Sequence, residues 1–407
     1  MPTAISSDVL PDAINELPLD ILQKSLGLPR NMIRVVILTK SEQLVGTGML
    51  AVDSFYCTLE WSGVEVYMER PDLTDVAAEV VAYIEALEAE LEGLQPKQHE
   101  PEPSEPPTTL NVITVSQAGR AKRTPRHFYG RQRRGGMGVF DLETAESDAP
   151  AVLAIADESE AIVLFSNFGR AFRLPVSDLP EAPVRATGQS LASHLSFRPH
   201  ERIVKMLPEN GGAYAVLVSQ RGRVRRVRSN YLGRSLIPGM TFHDVKEGGY
   251  LVDACWTPGD GDLFIATRLG KGIRFRESQV HSKGTLGLRV DVDDVVVAIT
   301  AVTEASGVFM MTGDGKGTIR LMAGFRANAS PGSGGKVAMK TDDLVAAFTV
   351  SDNDDVFAIS HASKIIRFMA EEAPPKEGVV QGVNCMALRN DTLTAVAVSP
   401  LSVSSEQ

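Results

Sequence analysis

An arginine returns along this chain at positions 123, 173, 226, 274, 320 and 367, at intervals of 50, 53, 48, 46 and 47 residues. Each stands in the same local frame: a short apolar run, a turn of Gly and a basic residue, and a second strand that carries the arginine. Residues 112–116 lead to Gly119, Arg120 and Arg123, and residues 161–166 to Gly169, Arg170 and Arg173. Residues 214–219 lead to Gly222, Arg223 and Arg226, and residues 263–267 to Gly270, Lys271 and Arg274. In the fifth copy residues 308–312 reach Arg320 through what reads as a turn one residue longer. In the sixth, Ser363 and Lys364 replace the Gly pair before Arg367.

Each unit then crosses a polar, Gly-containing stretch into another apolar run, such as residues 151–155, 295–299 and 344–348. Four strands per unit are therefore expected. One four-stranded sheet cannot cover both of its faces, so six such sheets would stack radially into a disc whose free edges are short. The period is that of a propeller blade. The expected fold is mainly β: a six-bladed, propeller-like domain over residues 111–400.

Ahead of it, residues 1–95 read as a small α+β domain. Short strands are expected over residues 34–38, 48–52, 55–61 and 64–68. Asp72 and Asp75 then open an amphipathic helix striped by Val76, Val80, Ile84, Leu87, Leu91 and Leu94. That stripe could pack on the adjacent sheet or seam a dimer, and the residues do not choose. Residues 96–110, rich in Pro and Glu, read as an extended tether.

The formal net charge is −10, which by itself speaks against nucleic acid. The signs are segregated, however: up to Leu110 there are 6 Lys and Arg against 19 Asp and Glu, and beyond it 35 against 32. Exposed charges farther apart than about 10 Å are largely screened, so an acidic head leaves a locally basic rim intact. No uninterrupted apolar run is long enough to span a membrane, and the N-terminus lacks a signal pattern, so a cytoplasmic protein is expected. Cys57, Cys255 and Cys385 are few and scattered, which suits small core residues better than disulfides or zinc.

The most specific string is Gln132-Arg133-Arg134-Gly135-Gly136-Met137-Gly138. Two adjacent guanidiniums supply planar donors matched to phosphate oxygens, and glycines without Cβ allow a duplex close to backbone amides. This string resembles the box of the C-terminal β-pinwheel domain of the DNA gyrase A and topoisomerase IV family, usually Gln-Arg-Arg-Gly-Gly-Lys-Gly. The resemblance extends over roughly residues 111–400, through Arg120, Lys122, Arg123, Tyr129 and the repeat. It implies a disc that binds double-stranded DNA and bends it around its rim. By position it carries the DNA-contacting role to Gln132, Arg133, Arg134, Gly135, Gly136 and Gly138, with Met137 where the family has Lys. The hairpin cations Arg120, Lys122, Arg170, Arg223, Arg225, Arg228, Lys271, Arg276 and Lys316 are expected to extend that contact as a basic stripe. The six repeat arginines are expected instead to pair with acids between blades.

No catalysis is expected. Nothing in residues 1–110 resembles the cleavage region that precedes the wrapping domain in gyrase A, and Tyr129 reads as a packed blade aromatic rather than a nucleophile. Residues 332–337 lack the spacing and hydroxyl of an ATP phosphate loop, and Asp291, Asp293 and Asp294 lack the Gly and Glu of a calcium loop. No cofactor or metal is expected. The preferred reading is a non-catalytic DNA-binding or DNA-bending protein, an accessory to a type II topoisomerase through its N-terminal domain. A protein-interaction scaffold that lost wrapping, and the wrapping part of a split topoisomerase, are the alternatives.

Overall fold

The computed structural model describes residues 33–38, 44–50 and 105–399, apart from residues 146, 194 and 210. Two compact units are formed, Met1–His99 and Glu100–Gln407. In the first, the described strands Ile33–Leu38 and Leu44–Leu50 pair antiparallel. The other strands and the amphipathic helix expected there lie outside the described residues.

The second unit is a ring of six β-sheets. Blade 1 runs from the axis outward as Pro150–Asp157, Leu110–Ser116, Arg120–Pro125 and Gln189–Ser190. Blade 2 is Ile203–Pro208, Ala161–Ser166, Arg170–Pro175 and Met240–Thr241. Blade 3 is Leu251–Thr257, Tyr214–Ser219, Arg223–Arg228 and Thr285–Leu286. Blade 4 is Val296–Val302, Asp262–Thr267, Lys271–Arg276 and Lys336–Val337. Blade 5 is Leu344–Val350, Gly307–Thr312 and Lys316–Leu321, edged by Pro375–Lys376 and Val383–Asn384. Blade 6 is Leu393–Ser399, Asp355–Ser360, Lys364–Met369 and Val139–Phe140. The six inner strands pack side by side around the axis.

The outermost strand of every blade comes from the following repeat, and Val139–Phe140 of the first repeat edges blade 6. Five blades have four strands, as expected, and blade 5 has five, but in no blade do all of them come from one repeat. The ring closes by the same exchange.

The continuous apolar runs follow from this stacking, because a strand between two blades is buried on both faces. Along Ala161–Ser166, Ile162 and Leu164 enter the core shared with blade 1, while Val163 and Phe165 enter the core shared with blade 3. Six such cores fill the six seams.

Each hairpin turns through a left-handed residue. Gly119, Gly169, Gly222, Gly270 and Gly315 have φ between +71° and +83°, and Ser363 takes the same place at +61°. The carbonyl of that residue receives the incoming outer strand: Gly270 O accepts from Ala338 N and Met339 N, and Gly315 O from Cys385 N and Met386 N. At the closing seam Ser363 O accepts from Asp141 N, and its hydroxyl accepts from Leu142 N and donates to Leu142 O, at 2.8 and 2.7 Å. The serine thus accepts a left-handed cost of about 1–2 kcal/mol and makes two hydrogen bonds no glycine could make.

Blade 5 corrects the reading of the repeat. Its hairpin turn is no longer than the others, since Gly315 N bonds Thr312 O just as Gly270 N bonds Thr267 O. Arg320 instead stands one register position later: Ile319 occupies the place of Arg274 and Arg367, and Arg320 that of Phe275 and Phe368. One residue of shift places a strand side chain on the opposite face. The partner changed as well, because Gly307 begins its strand where Asp262 and Asp355 begin theirs, and a Cβ there would lie 2.7 Å from Ile319 Cγ2. The arginine–aspartate pair of blades 4 and 6 is a glycine–isoleucine contact in blade 5.

Ser363→Ala keeps the left-handed backbone and strands both polar groups of Leu142, so unfolding in urea should show a loss of about 1–3 kcal/mol. Ser363→Gly relieves the backbone and should lose less.

Candidate nucleic-acid interface

The Gln132–Gly138 loop lies where the ring closes. It leaves blade 1 after Arg126–Phe128, a single 3-10 turn, and delivers Val139–Phe140 to blade 6. Gln132 N donates to Arg367 O at 2.7 Å, and Ala387 N donates to Gly136 O at 2.9 Å. Arg134 N donates to Glu372 Oε2 at 2.9 Å, and Arg134 Nη1 to Asn384 O at 3.0 Å. Beside the loop, Arg131 pairs with buried Asp355 at 2.8 Å.

The glycines serve this seating. Gly138 has φ +76°, and a Cβ on it would lie 2.5 Å from Ile365 O. The amides of Gly135, Gly136 and Gly138 donate to Cys385 O, Arg133 O and Gln132 Oε1 at 2.7, 3.2 and 3.3 Å. The expectation that these amides wait for a duplex is thereby corrected, because they are bonded within the protein. What the loop offers outward is side chains: Arg133 is exposed, without an ion pair among the described residues, and Met137 is 50% exposed. Arg134 is half-buried and Gln132 turns inward to brace Gly138.

Two of the expected rim cations are interior. Lys122 is 1% exposed, and its ammonium donates to Asp141 Oδ1 at 2.5 Å and Asp141 O at 2.9 Å, and also to Val184 O. Burial lowers its pKa and the Asp141 charge opposes that shift. Tyr129 and Thr114 donate to the same carboxylate at 2.6 and 2.8 Å. Asp141 is therefore a buried hub, and burial together with its charge pushes the Tyr129 hydroxyl well above its usual range. Tyr129 packs edge-on against Phe357, the packed aromatic expected of it. Arg170 is also buried, bonded to Glu201 at 2.5 Å and Gly239 O at 3.0 Å.

The other predicted cations stay near the surface with unequal freedom. Arg120 is exposed and donates to Gly188 O at 2.8 Å. Arg223 pairs with Glu247 at 3.1 Å, Arg276 with Asp262 at 3.3 Å, Lys271 with Asp291 at 2.5 Å and Lys316 with Asp314 at 2.6 Å. Asp291 and Asp314 hold their two lysines above the ordinary lysine pKa. Arg225 and Arg228 have no acid partner among the described residues. They line a cavity of about 450 Å³ with Tyr231 and with Met240 from the outer strand of blade 2.

Five of the six repeat arginines reach an acid, but the expected pairing between blades holds only in part, because the partners of Arg274 and Arg367 lie on the neighbouring strand of the same blade. Arg123 reaches Glu158 and Glu181 at 3.7 and 3.9 Å, Arg173 reaches Glu209 at 2.7 Å, and Arg226 reaches Glu277 at 3.6 Å. Arg274 pairs with Asp262 at 2.8 Å and Arg367 with Asp355 at 2.6 Å. Arg320 has no acid within ion-pair distance among the described residues.

Sequence reasoning missed Glu105, whose carboxylate joins Arg126 of the first repeat to Arg367 of blade 6 at 2.9 and 2.8 Å. The stretch expected to be a tether to residue 110 is bonded to the ring from there onward, and its Pro/Glu composition carries no signal of that. Nor did spacing announce Glu372, Asn384 and Asp141.

Cys255 and Cys385 are free thiols, and burial pushes that of Cys385 up to about 12. Among the described residues no group of His, Cys, Asp or Glu could hold a metal ion, and no helix is long and apolar enough to cross a membrane. Asp291 pairs with Lys271, while Asp294 accepts from Leu269 N and Val295 N, as suits a turn.

Residues 110–148, 160–208 and 261–303 match the family model described as DNA gyrase C-terminal domain, beta-propeller. The DNA gyrase A protein of Mycobacterium bovis is 28% identical over 300 residues, 70% of this chain and 36% of its own length. That of Chlamydia trachomatis is 28% identical over 312 residues, 72% of this chain and 37% of its own. The chain thus covers little more than a third of these relatives. A solved DNA gyrase A C-terminal domain superposes with a TM-score of 0.62 at 18% identity, covering 71% of this chain and 99% of that one. The C-terminal domain of DNA topoisomerase IV gives 0.53 at 18%, covering 71% and 93%. The resemblance drawn from the Gln132–Gly138 string is borne out in sequence and in fold.

Breaking a buried ion pair by removing one partner costs about 3–5 kcal/mol, so Lys122→Ala should sharply lower the urea midpoint. Lys271→Ala, at an exposed pair, should leave that midpoint within error.

Proposed function

We propose that the ring binds double-stranded DNA along its rim through the phosphate backbone and bends it, as a non-catalytic partner of a type II topoisomerase in the nucleoid. The observation that carries this reading is the closing loop. It resembles the box of gyrase-type wrapping domains, is pinned to blade 6 by backbone hydrogen bonds, and holds the Arg133 guanidinium exposed without an acid partner among the described residues. A loop whose backbone is already seated loses little further backbone freedom when its guanidinium meets a phosphate. Arg120, Arg225 and Arg228 add charge on the third strands of blades 1 and 3.

Bending 20 to 30 base pairs by 40 to 90° costs about 1–6 kcal/mol, so several such contacts are required. Contacts to phosphate carry no base information. No part of the chain is assigned to strand cleavage, and the acidic residues 1–95 are proposed as the segment that docks the topoisomerase.

A second reading, a protein-binding scaffold, is favoured by one feature: Lys271, Lys316 and Arg223 are already matched by acids at the rim. The remaining alternative is the wrapping part of a split topoisomerase. That reading requires supercoiling to appear once a separate cleaving chain is mixed in.

Salt titration separates the first two readings. With 6 to 10 phosphate contacts, duplex affinity should fall roughly 10³- to 10⁵-fold between 50 and 200 mM salt, whereas a scaffold should show little affinity throughout. Arg133→Ala with Arg134→Ala should weaken duplex binding equally across unrelated sequences, and unchanged binding would move the interface elsewhere. Met137→Lys adds a cation at an exposed position and should increase bending in a circularisation assay.

A further inference from the structure

The register shift in blade 5 has placed a charge where the other repeats keep an uncharged residue. The positions equivalent to Arg320 are Thr124, Leu174, Val227, Phe275 and Phe368; all five are buried and uncharged, and the four apolar ones enter the core shared with the preceding blade. Arg320 therefore enters the seam between blades 4 and 5, and it is 5% exposed. Its Nε and Nη1 have no hydrogen-bond partner; Nη2 alone reaches Gly324 O, at 3.4 Å. An arginine cannot shed its proton, so the seam contains a buried positive charge with two idle donors.

Its neighbours add to that charge. Arg274 enters the same seam from blade 4 and donates to Met322 O and Phe325 O at 3.0 and 3.4 Å. The Arg320 guanidinium lies 5.7 Å from the centroid of the Phe325 ring and the Lys336 ammonium 4.4 Å from it. Lys336 also donates to Arg326 O at 2.8 Å, and both Lys336 and Arg326 are exposed at the mouth of the seam. Burial and the charges of Arg320, Arg326 and Arg274 lower the Lys336 pKa. Asp262 is taken by Arg274 and Arg276. Glu377, whose charge reaches Arg320, makes no ion pair with it.

We propose that the mouth of the blade 4–5 seam, formed by Arg320, Lys336 and Arg326 around Phe325, binds a phosphate-type oxyanion. The anion supplies the negative charge that this arginine lacks and that Asp262 and Asp355 supply to Arg274 and Arg367. Its source is either free phosphate or a phosphodiester of bound DNA. The site does not depend on the proposed DNA-binding function, because its first test contains no DNA.

The full chain is melted in about 50 mM inorganic phosphate and in chloride of equal ionic strength. Phosphate should raise the melting temperature by about 2–4 °C. Arg320→Leu, which restores the residue type of Leu174, should fold and lose that rise; Lys336→Ala, at an exposed residue, should reduce it. Equal melting temperatures in the two salts, or a full rise retained by Arg320→Leu, would overturn the site and leave the DNA reading untouched. Once the rise is seen, duplex binding identifies the source. A salt slope lowered by about one in Lys336→Ala assigns the anion to the DNA backbone, and an unchanged slope assigns it to free phosphate.

Discussion

Every blade of this ring is unfinished until the next repeat lends it an outer strand, and the lending is done by one backbone carbonyl in a left-handed turn residue. That residue must have φ > 0 to present its carbonyl to the incoming strand, which is why the turn is Gly in five repeats and a hydroxyl-bearing Ser in the sixth. Because no blade is complete alone, the repeats stabilise one another around the circle. Closure is the step at which residue 139 meets residue 365, far apart in the chain. The features that depart from the repeat gather there: Ser363 gripping Leu142, Glu105 joining Arg126 to Arg367, and the Gln132–Gly138 loop seated on blade 6.

At that location the amides and glycines of the box-like loop dock the chain on the last blade. Loosening the glycines would free the loop and disturb the seam. Arg134 is held by Glu372 and Asn384, while Arg133 is exposed.

Charge is apportioned by burial rather than by residue type. Within one hairpin, Lys122 and Arg123 are structural, satisfied by Asp141 and by Asn111 and Leu179 O, whereas Arg120 lies at the surface. Adjacent basic residues on a strand point to opposite faces and meet different neighbours. A stripe of cations read from equivalent hairpins therefore overstates the rim: some are sunk in seams, some neutralised by a neighbouring acid, and a few, such as Arg133, Arg225 and Arg228, stand without an acid partner among the described residues.

From its residues alone this chain disclosed the repeat, the apolar strands, the Gly turns, the box-like string and the pairing of most repeat arginines with acids, because each is set by local geometry or by a short pattern. The tertiary structure decided which repeat lends each strand, which cations are interior, that Tyr129 and Lys122 share Asp141, and that Arg320 leaves its own blade on the face opposite to the one Arg274 uses in blade 4, so that both meet in one seam. Those outcomes depend on register and on contacts between residues as distant as Glu105 and Arg367. A one-residue shift reverses the face of a side chain while barely changing the sequence interval, so the spacing of the arginines could announce the blades without revealing what each arginine touches.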